Sequence, residues 1–305
     1  MPLTNAQLNQ YQEDGFVIVP NVLNAKDLAP VIAELEAFIE LKAQALHAEG
    51  KIKDLHEDAP FETRIAKLFA QCAEITYGID IMNLRGRAMF NFLHNKNLLD
   101  CVQQLIGAEI TCSPIQHVRP KVPSSVGDGK YELVPWHQDA GVTTEEADSS
   151  NIVTCWIPIL GATREMGCME LIPGVQKIGY LEHVNLGGTT INPDLLPKTP
   201  PVCAECPKGG VIFMTKLTPH RGLPNVSDLV RWTIDLRYQK TGTPTGRPYN
   251  PDFPVRSKET PKSVTHDYEG WCRRWAAALD DTKGKVQHRV KPYEPVRKAE
   301  VALSK

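Results

Sequence analysis

Pro135-Trp136-His137-Gln138-Asp139 carries the residue types from which a metal grip is built. The stretch reads as strand, and strand side chains alternate between faces, so His137 and Asp139 share one face while Gln138 takes the other. An imidazole and a carboxylate placed this way can hold one cation. His220, in Thr218-Pro219-His220-Arg221-Gly222, is the candidate third ligand. Two histidines and one carboxylate on one face of a metal leave positions open opposite, the donor pattern of non-haem Fe(II) oxygenases. A lone His-x-Asp is a common exposed polar pair, so the surrounding chain has to carry the argument.

Arg231 follows His220 by 11 residues. In Val230–Tyr238, alternation puts Arg231, Thr233, Asp235 and Arg237 on one face and Trp232, Ile234, Leu236 and Tyr238 on the other. A solvent-facing polar side is the plain reading. The sharper one turns the apolar side against helices and the polar side inward, where an arginine needs an anion and its planar fork suits a carboxylate. A dicarboxylate that chelates the metal at one end would reach Arg231 with the other.

The elements that must position these residues change character along the chain. Thr4-Asn5-Ala6-Gln7 fits a capping box at a helix start, and Asp14-Gly15 stops that helix. Phe16–Pro20 reads as a short strand. Asn24 is the next N-cap, and Leu28, Val31, Ile32, Leu35, Phe38, Ile39 and Ala43 form a helical core stripe. Residues 51–66 read as a loop, 63–72 and 96–106 as helices, with Gly107 as the stop of the second. From about residue 109 short strands follow: 110–118, 135–139, 152–157, 168–172, 209–214 and 230–238. Gly- and Pro-rich turns join them, as in a sandwich or barrel, and residues 184–208 read as a long loop. Residues 239–262 read as irregular, 264–279 as a helix with Tyr268, Trp271 and Trp275, and 283–305 as a solvated, Lys-rich tail.

Bulk properties exclude several classes. At 305 residues and 42% hydrophobic content the chain can bury a full core. The formal charge of -2, from 34 basic and 36 acidic residues, argues against a nucleic-acid partner. No apolar run has membrane-spanning length, and the first residues carry no secretory pattern. Eight cysteines among apolar neighbours suit reduced thiols and a cytoplasmic location. Cys203-Ala-Glu-Cys206 is the one CxxC, with no second ligand pair at zinc spacing. The expected partner is a small molecule, and the oligomeric state is not encoded in any pattern here.

Three stretches resemble the phytanoyl-CoA dioxygenase family: Pro135–Asp139, Thr163–Gly174, and Pro219–Ser227 running on through Arg231 to Tyr238. The opening, Leu3 to Val17, is similar to that family's first helix and strand. The resemblance implies an Fe(II)- and 2-oxoglutarate-dependent oxygenase on a double-stranded β-helix, the cupin-like jelly roll, with N-terminal and C-terminal helices packed on one sheet. It implies a single catalytic domain over residues 1–282. Within it, residues 1–107 are helical, a jelly-roll core spans about 108–240, and an extension covers 241–282 before the tail. The resemblance makes His137, Asp139 and His220 the iron ligands and Arg231 the partner of the cosubstrate's distal carboxylate. Trp156, Thr154 and His117 match positions that line the cosubstrate pocket. Gly222 stands where many members carry serine, and Gly174-Val175-Gln176-Lys177 where a Gly-Ser-His-Lys turn is common. The implied reaction consumes O2 and 2-oxoglutarate, releases succinate and CO2, and oxidises a small metabolite, with hydroxylation the leading outcome. The rivals are a non-catalytic binding module for metal or 2-oxoglutarate, and a cupin-type hydrolase or isomerase with another divalent metal, which gives Arg231 no role.

Overall fold

The computed structural model describes residues 2–127, 134–282 and 288–293. Seven helices occur among the described residues: α1 (Asn5–Asp14), α2 (Ala25–Ala48), α3 (Phe61–Phe69), α4 (Ile81–Leu84), α5 (Arg87–Phe92), α6 (Lys96–Ile106) and α7 (Tyr268–Asp281). The strands are β1 (Phe16–Val19), β2 (Ile110–Cys112), β3 (His117–Lys121), β4 (Val134–His137), β5 (Ile152–Pro158), β6 (Met169–Leu171), β7 (His183–Asn185), β8 (Thr189–Ile191), β9 (Val202–Ala204), β10 (Val211–Thr215), β11 (His220–Gly222), β12 (Arg231–Lys240), β13 (Phe253–Arg256) and β14 (Val290–Lys291).

Local chemistry sets the early elements. Thr4 and Gln7 form the expected capping box of α1, and Gly15 ends that helix at φ +83°, a left-handed value that a side chain resists. Asn24 caps α2, whose buried stripe runs Leu28, Val31, Leu35, Ile39 and Ala43.

Two antiparallel sheets form the jelly roll. The larger runs β1-β10-β5-β12-β2-β13, with β3 also paired to β12, and the smaller runs β4-β11-β6-β9. They make an open sandwich and not a closed barrel. Phe16, Trp156, Ile212 and Met214 of the large sheet pack against Met169, Leu171 and Ala204 of the small one. The outer face of the large sheet carries Val153, Cys155, Ile157, Trp232, Ile234, Leu236 and Tyr238 in one buried cluster with side chains of the helices. Phe61 at the start of α3 stacks on Trp232 at 5.0 Å, and Trp271 and Trp275 of α7 join the same layer. The two-residue period of β12 thus turns its apolar side to the helices and its polar side into the sandwich, the inward option.

Other boundaries differ from expectation. Residues 110–118 form β2 and β3, separated at 113–116, where Pro114 lacks the N–H that a continuous ladder needs. α4 and α5 are too short to show a helical period. Inside the stretch expected as a long loop, β7 and β8 pair, and β14 joins β7 in parallel. β13, in the stretch expected to be irregular, pairs with β2. Of residues 283–305, expected as a solvated tail, 288–293 are described and lie against the body; the others fall outside the described residues. None of the eight cysteines is in a disulfide, and Cys203 approaches Cys168 (Sγ–Sγ 3.3 Å) rather than Cys206. No helix among the described residues is long and apolar enough to cross a membrane.

Candidate active site

His137 ends β4 and His220 begins β11, and the two strands pair with these residues opposite each other. Their rings sit 4.1 Å apart, centroid to centroid. Asp139 is not on the strand. It opens a 3-10 turn, Asp139–Val142, whose Ala140 N–H donates to the Lys216 carbonyl at 3.0 Å. Alternation along a strand is therefore not what brings His137 and Asp139 together; the turn beyond β4 is. The ligand-capable atoms of His137, Asp139 and His220 all lie within 4.8 Å of one another. Among the described residues this is the one group of three or more His, Cys, Asp or Glu placed to share a metal ion.

Hydrogen bonding fixes how each histidine presents itself. His137 Nδ1 lies 2.9 Å from the Pro135 carbonyl, and His220 Nδ1 lies 3.0 Å from the Thr218 carbonyl. A carbonyl only accepts, so both Nδ1 atoms carry the proton and each Nε2 keeps a lone pair. Burial, and for His137 the neighbouring His220, push both imidazoles below their ordinary range, His137 to about 4. Both rings are thus neutral at pH 7, the form that ligates a metal.

The carboxylate is held from the opposite sheet. Arg237 on β12 donates to Asp139 Oδ1 at 2.6 Å, and the Thr154 hydroxyl on β5 donates to Oδ2. The β12–β5 register sets Arg237 across from Thr154, so the two arrive as a pair. Burial opposes ionisation of Asp139, but Arg237, by its charge and its hydrogen bond, outweighs it and the carboxyl lies below the usual carboxylate range. Each carboxylate oxygen has lone-pair capacity left beyond these bonds. The cluster offers two neutral nitrogens and an anionic oxygen, and it fits a divalent ion.

A cavity of about 540 Å³ opens over the cluster. Arg231 and Trp156 line it, with the guanidinium 5.4 Å from the indole centroid. Arg231 donates to the Gly167 carbonyl at 2.6 Å, while its buried Nε has no partner among the described residues. Burial lowers its pKa to about 10, so it stays cationic at neutral pH. Gly167 has φ +74°, and a Cβ there would meet the Leu223 carbonyl oxygen at 2.5 Å, so only glycine places its own carbonyl beside Arg231. His117 also lines the cavity, with Nδ1 2.8 Å from Asp80 Oδ2. Thr154 is spent on Asp139.

Three further wall residues carry weak or no signals in the sequence. Arg237 shares the inward face of β12, and its only mark is being a second arginine six residues beyond Arg231, in register with Thr154. Arg247 and His288 sit in segments without periodicity, and no local pattern marks them.

The phytanoyl-CoA dioxygenase (PhyH) family pattern matches residues 11–233. A methylphosphonate hydroxylase from Gimesia maris is 24% identical over 246 residues, covering 77% of this chain and 80% of that one. Among solved structures, the epimerase SnoN in complex with Fe3+, alpha ketoglutarate and a nogalamycin compound superposes with a TM-score of 0.56 at 19% identity, over 79% of this chain and 86% of SnoN. The apo non-heme monooxygenase ThoJ gives a TM-score of 0.62 at 17% identity, over 90% of this chain and 98% of ThoJ. At such identities the two structures establish the jelly-roll fold.

Proposed function

Because the chain belongs to the phytanoyl-CoA dioxygenase family, we propose that it is an Fe(II)- and 2-oxoglutarate-dependent oxygenase that hydroxylates a small molecule. The observation that carries this is the cluster itself: two Nδ1–H groups committed to backbone carbonyls, and the donor atoms of His137, Asp139 and His220 within 4.8 Å. In this reading those three residues hold the iron. Bound iron supplies O2 activation, with two electrons drawn from decarboxylation of 2-oxoglutarate to succinate and CO2.

The remaining residues bind and orient. Arg231 pairs with the distal carboxylate of 2-oxoglutarate in a bidentate contact, its guanidinium backed by Trp156 and positioned by Gly167. His117, steadied by Asp80, forms one side of the wall beside them. Arg237 and Thr154 keep the Asp139 carboxylate ionised and aimed at the cluster, and they leave it no freedom to swing away. The likeness to a hydroxylase supports hydroxylation as the outcome.

The test is succinate formation stimulated by candidate small molecules, measured with and without Fe(II) and 2-oxoglutarate. Turnover should require both, and His137→Ala or His220→Ala should abolish it. Undiminished turnover in rigorously iron-free protein would overturn the reading. Binding of 2-oxoglutarate that is never consumed would leave the non-catalytic module instead.

A further inference from the structure

The cavity wall holds more positive charge than the metal and cosubstrate account for. Its charged side chains comprise four arginines and three aspartates. Leaving the histidines out of the count, that is one net positive charge, and a divalent metal and doubly charged 2-oxoglutarate cancel each other. The loaded cavity is therefore cationic and attracts an anion.

The pairings locate the surplus. Arg237 is closed onto Asp139 and Asp235, and Asp80 is engaged through a hydrogen bond with His117. Arg231 is assigned to the cosubstrate, and the exposed Arg119 lies near it. Arg247 is left, and among the described residues no carboxylate pairs with it. It is nonetheless built into place. Gly246 has φ +71°, and a Cβ there would come within 2.4 Å of Thr143 Cβ, so glycine lets the segment lie against the turn that begins at Asp139. Thr144 N–H donates to the Gly246 carbonyl at 3.0 Å. Arg247 Nε donates to the Val142 carbonyl at 2.7 Å, which fixes one edge of the guanidinium and leaves the terminal amines for a ligand.

His288 reaches the same wall from the other end of the chain. Its Nδ1 lies 2.9 Å from the Thr189 hydroxyl, and it is close enough to Arg247 to feel its charge. The next residue, Arg289, donates to the Ala140 carbonyl at 2.8 Å. Arg247 is thus fastened to the Asp139–Val142 turn directly, and His288 is held beside it through its neighbour Arg289 and through Thr189.

We propose that Arg247 and His288 form an oxyanion subsite, and that the substrate is a small molecule bearing a carboxylate or a phosphoryl group. The anionic end lies against the Arg247 fork while the carbon to be oxidised faces the His137/Asp139/His220 cluster. This rests on the oxygenase reading given above.

The experiment is calorimetric titration of protein loaded with nickel(II), which replaces iron so that no turnover occurs. 2-Oxoglutarate is added first, and then acetate, inorganic phosphate or neutral acetamide in separate runs. At least one anion should bind the loaded protein, acetamide should not, and whichever anion binds names the group. Arg247→Gln should weaken that anion at least tenfold with 2-oxoglutarate affinity unchanged, which also reports a folded variant; His288→Gln should weaken it less. If 2-oxoglutarate itself fails to bind, the oxygenase reading falls and this one with it. If 2-oxoglutarate binds but no anion does, or the anion binds Arg247→Gln as well as the parent, the subsite alone is refuted.

Discussion

Arg231 and Arg237 share one face of one strand and do opposite work. Arg231 faces a cavity with a buried, unpartnered Nε, whereas Arg237 is closed onto Asp139. Arg231→Lys keeps the charge but loses the fork, so 2-oxoglutarate should bind more weakly by roughly 1.5–3 kcal/mol, the scale of a hydrogen bond to a charged group. Titration with 2-oxoglutarate checks this, and metal affinity should not move. Arg237→Leu leaves Asp139 buried without its cation, which should cost the metal-free protein about 3–5 kcal/mol. Saturating metal restores a counter-charge to the carboxylate, so the loss should shrink in denaturation run with a divalent ion. An equal loss with and without metal would show that the ion does not sit on Asp139. His137, Asp139, His220 and Arg231 were nominated from the sequence by residue type and spacing together with the family resemblance, and the fold brings all four to one cavity. The role of Arg237 was not, because it depends on the β12–β5 register and no single strand encodes a register.

The Asp139–Val142 turn is the element on which the site depends. Gln138 fastens its entry: the Gln138 backbone N–H donates to His183 Nε2 at 2.9 Å, and its side-chain amide donates to the Gly179 and Leu217 carbonyls at 2.9 and 2.7 Å. Lys216, whose carbonyl receives the Ala140 N–H, donates its own Nζ to the Asp148 and Ser150 carbonyls at 2.8 and 2.7 Å. Gly141 is needed for a spatial reason, since a Cβ there would sit 2.7 Å from the His183 ring. Gly141→Ala should therefore push His183 off Gln138 and shift Asp139, at a cost of about 1–3 kcal/mol for overpacking. Metal titration should show weaker binding by the variant, while 2-oxoglutarate added at saturating metal should bind as before. Strand alternation would join His137 to Asp139, yet β4 stops at His137. The turn that does the joining is assembled from residues 179, 183, 216 and 217, contacts too distant in sequence for any window to register.

At the scale of the whole molecule, the α1–β1 junction and the strap at 288–291 reach the two segments that carry His220 and Asp139. The Gly15 carbonyl, at the junction of α1 and β1, accepts from the Thr218 hydroxyl at 2.7 Å, and the Thr218 carbonyl holds His220. At the other end Arg289 N–H donates to the Gly141 carbonyl at 3.0 Å. β1 also closes one side of the large sheet by pairing with β10. Deleting residues 1–20 should bare the β10 edge, so light scattering should show association between copies, and metal affinity should fall as His220 loosens. Helices α2, α3 and α6 were legible because their apolar stripes repeat every turn. The strap at 288–291 was not, since two paired residues and one arginine make no period.

The clamp at both ends also sets an order in time. On the ribosome β1 is made almost first, yet its partner β10 begins at Val211, so a short apolar strand waits through most of elongation without its neighbour. His220 emerges after that, and Arg289 later still. The strap on the Asp139–Val142 turn is thus among the last contacts the described chain can make, long after the strand at its other end was ready to pair.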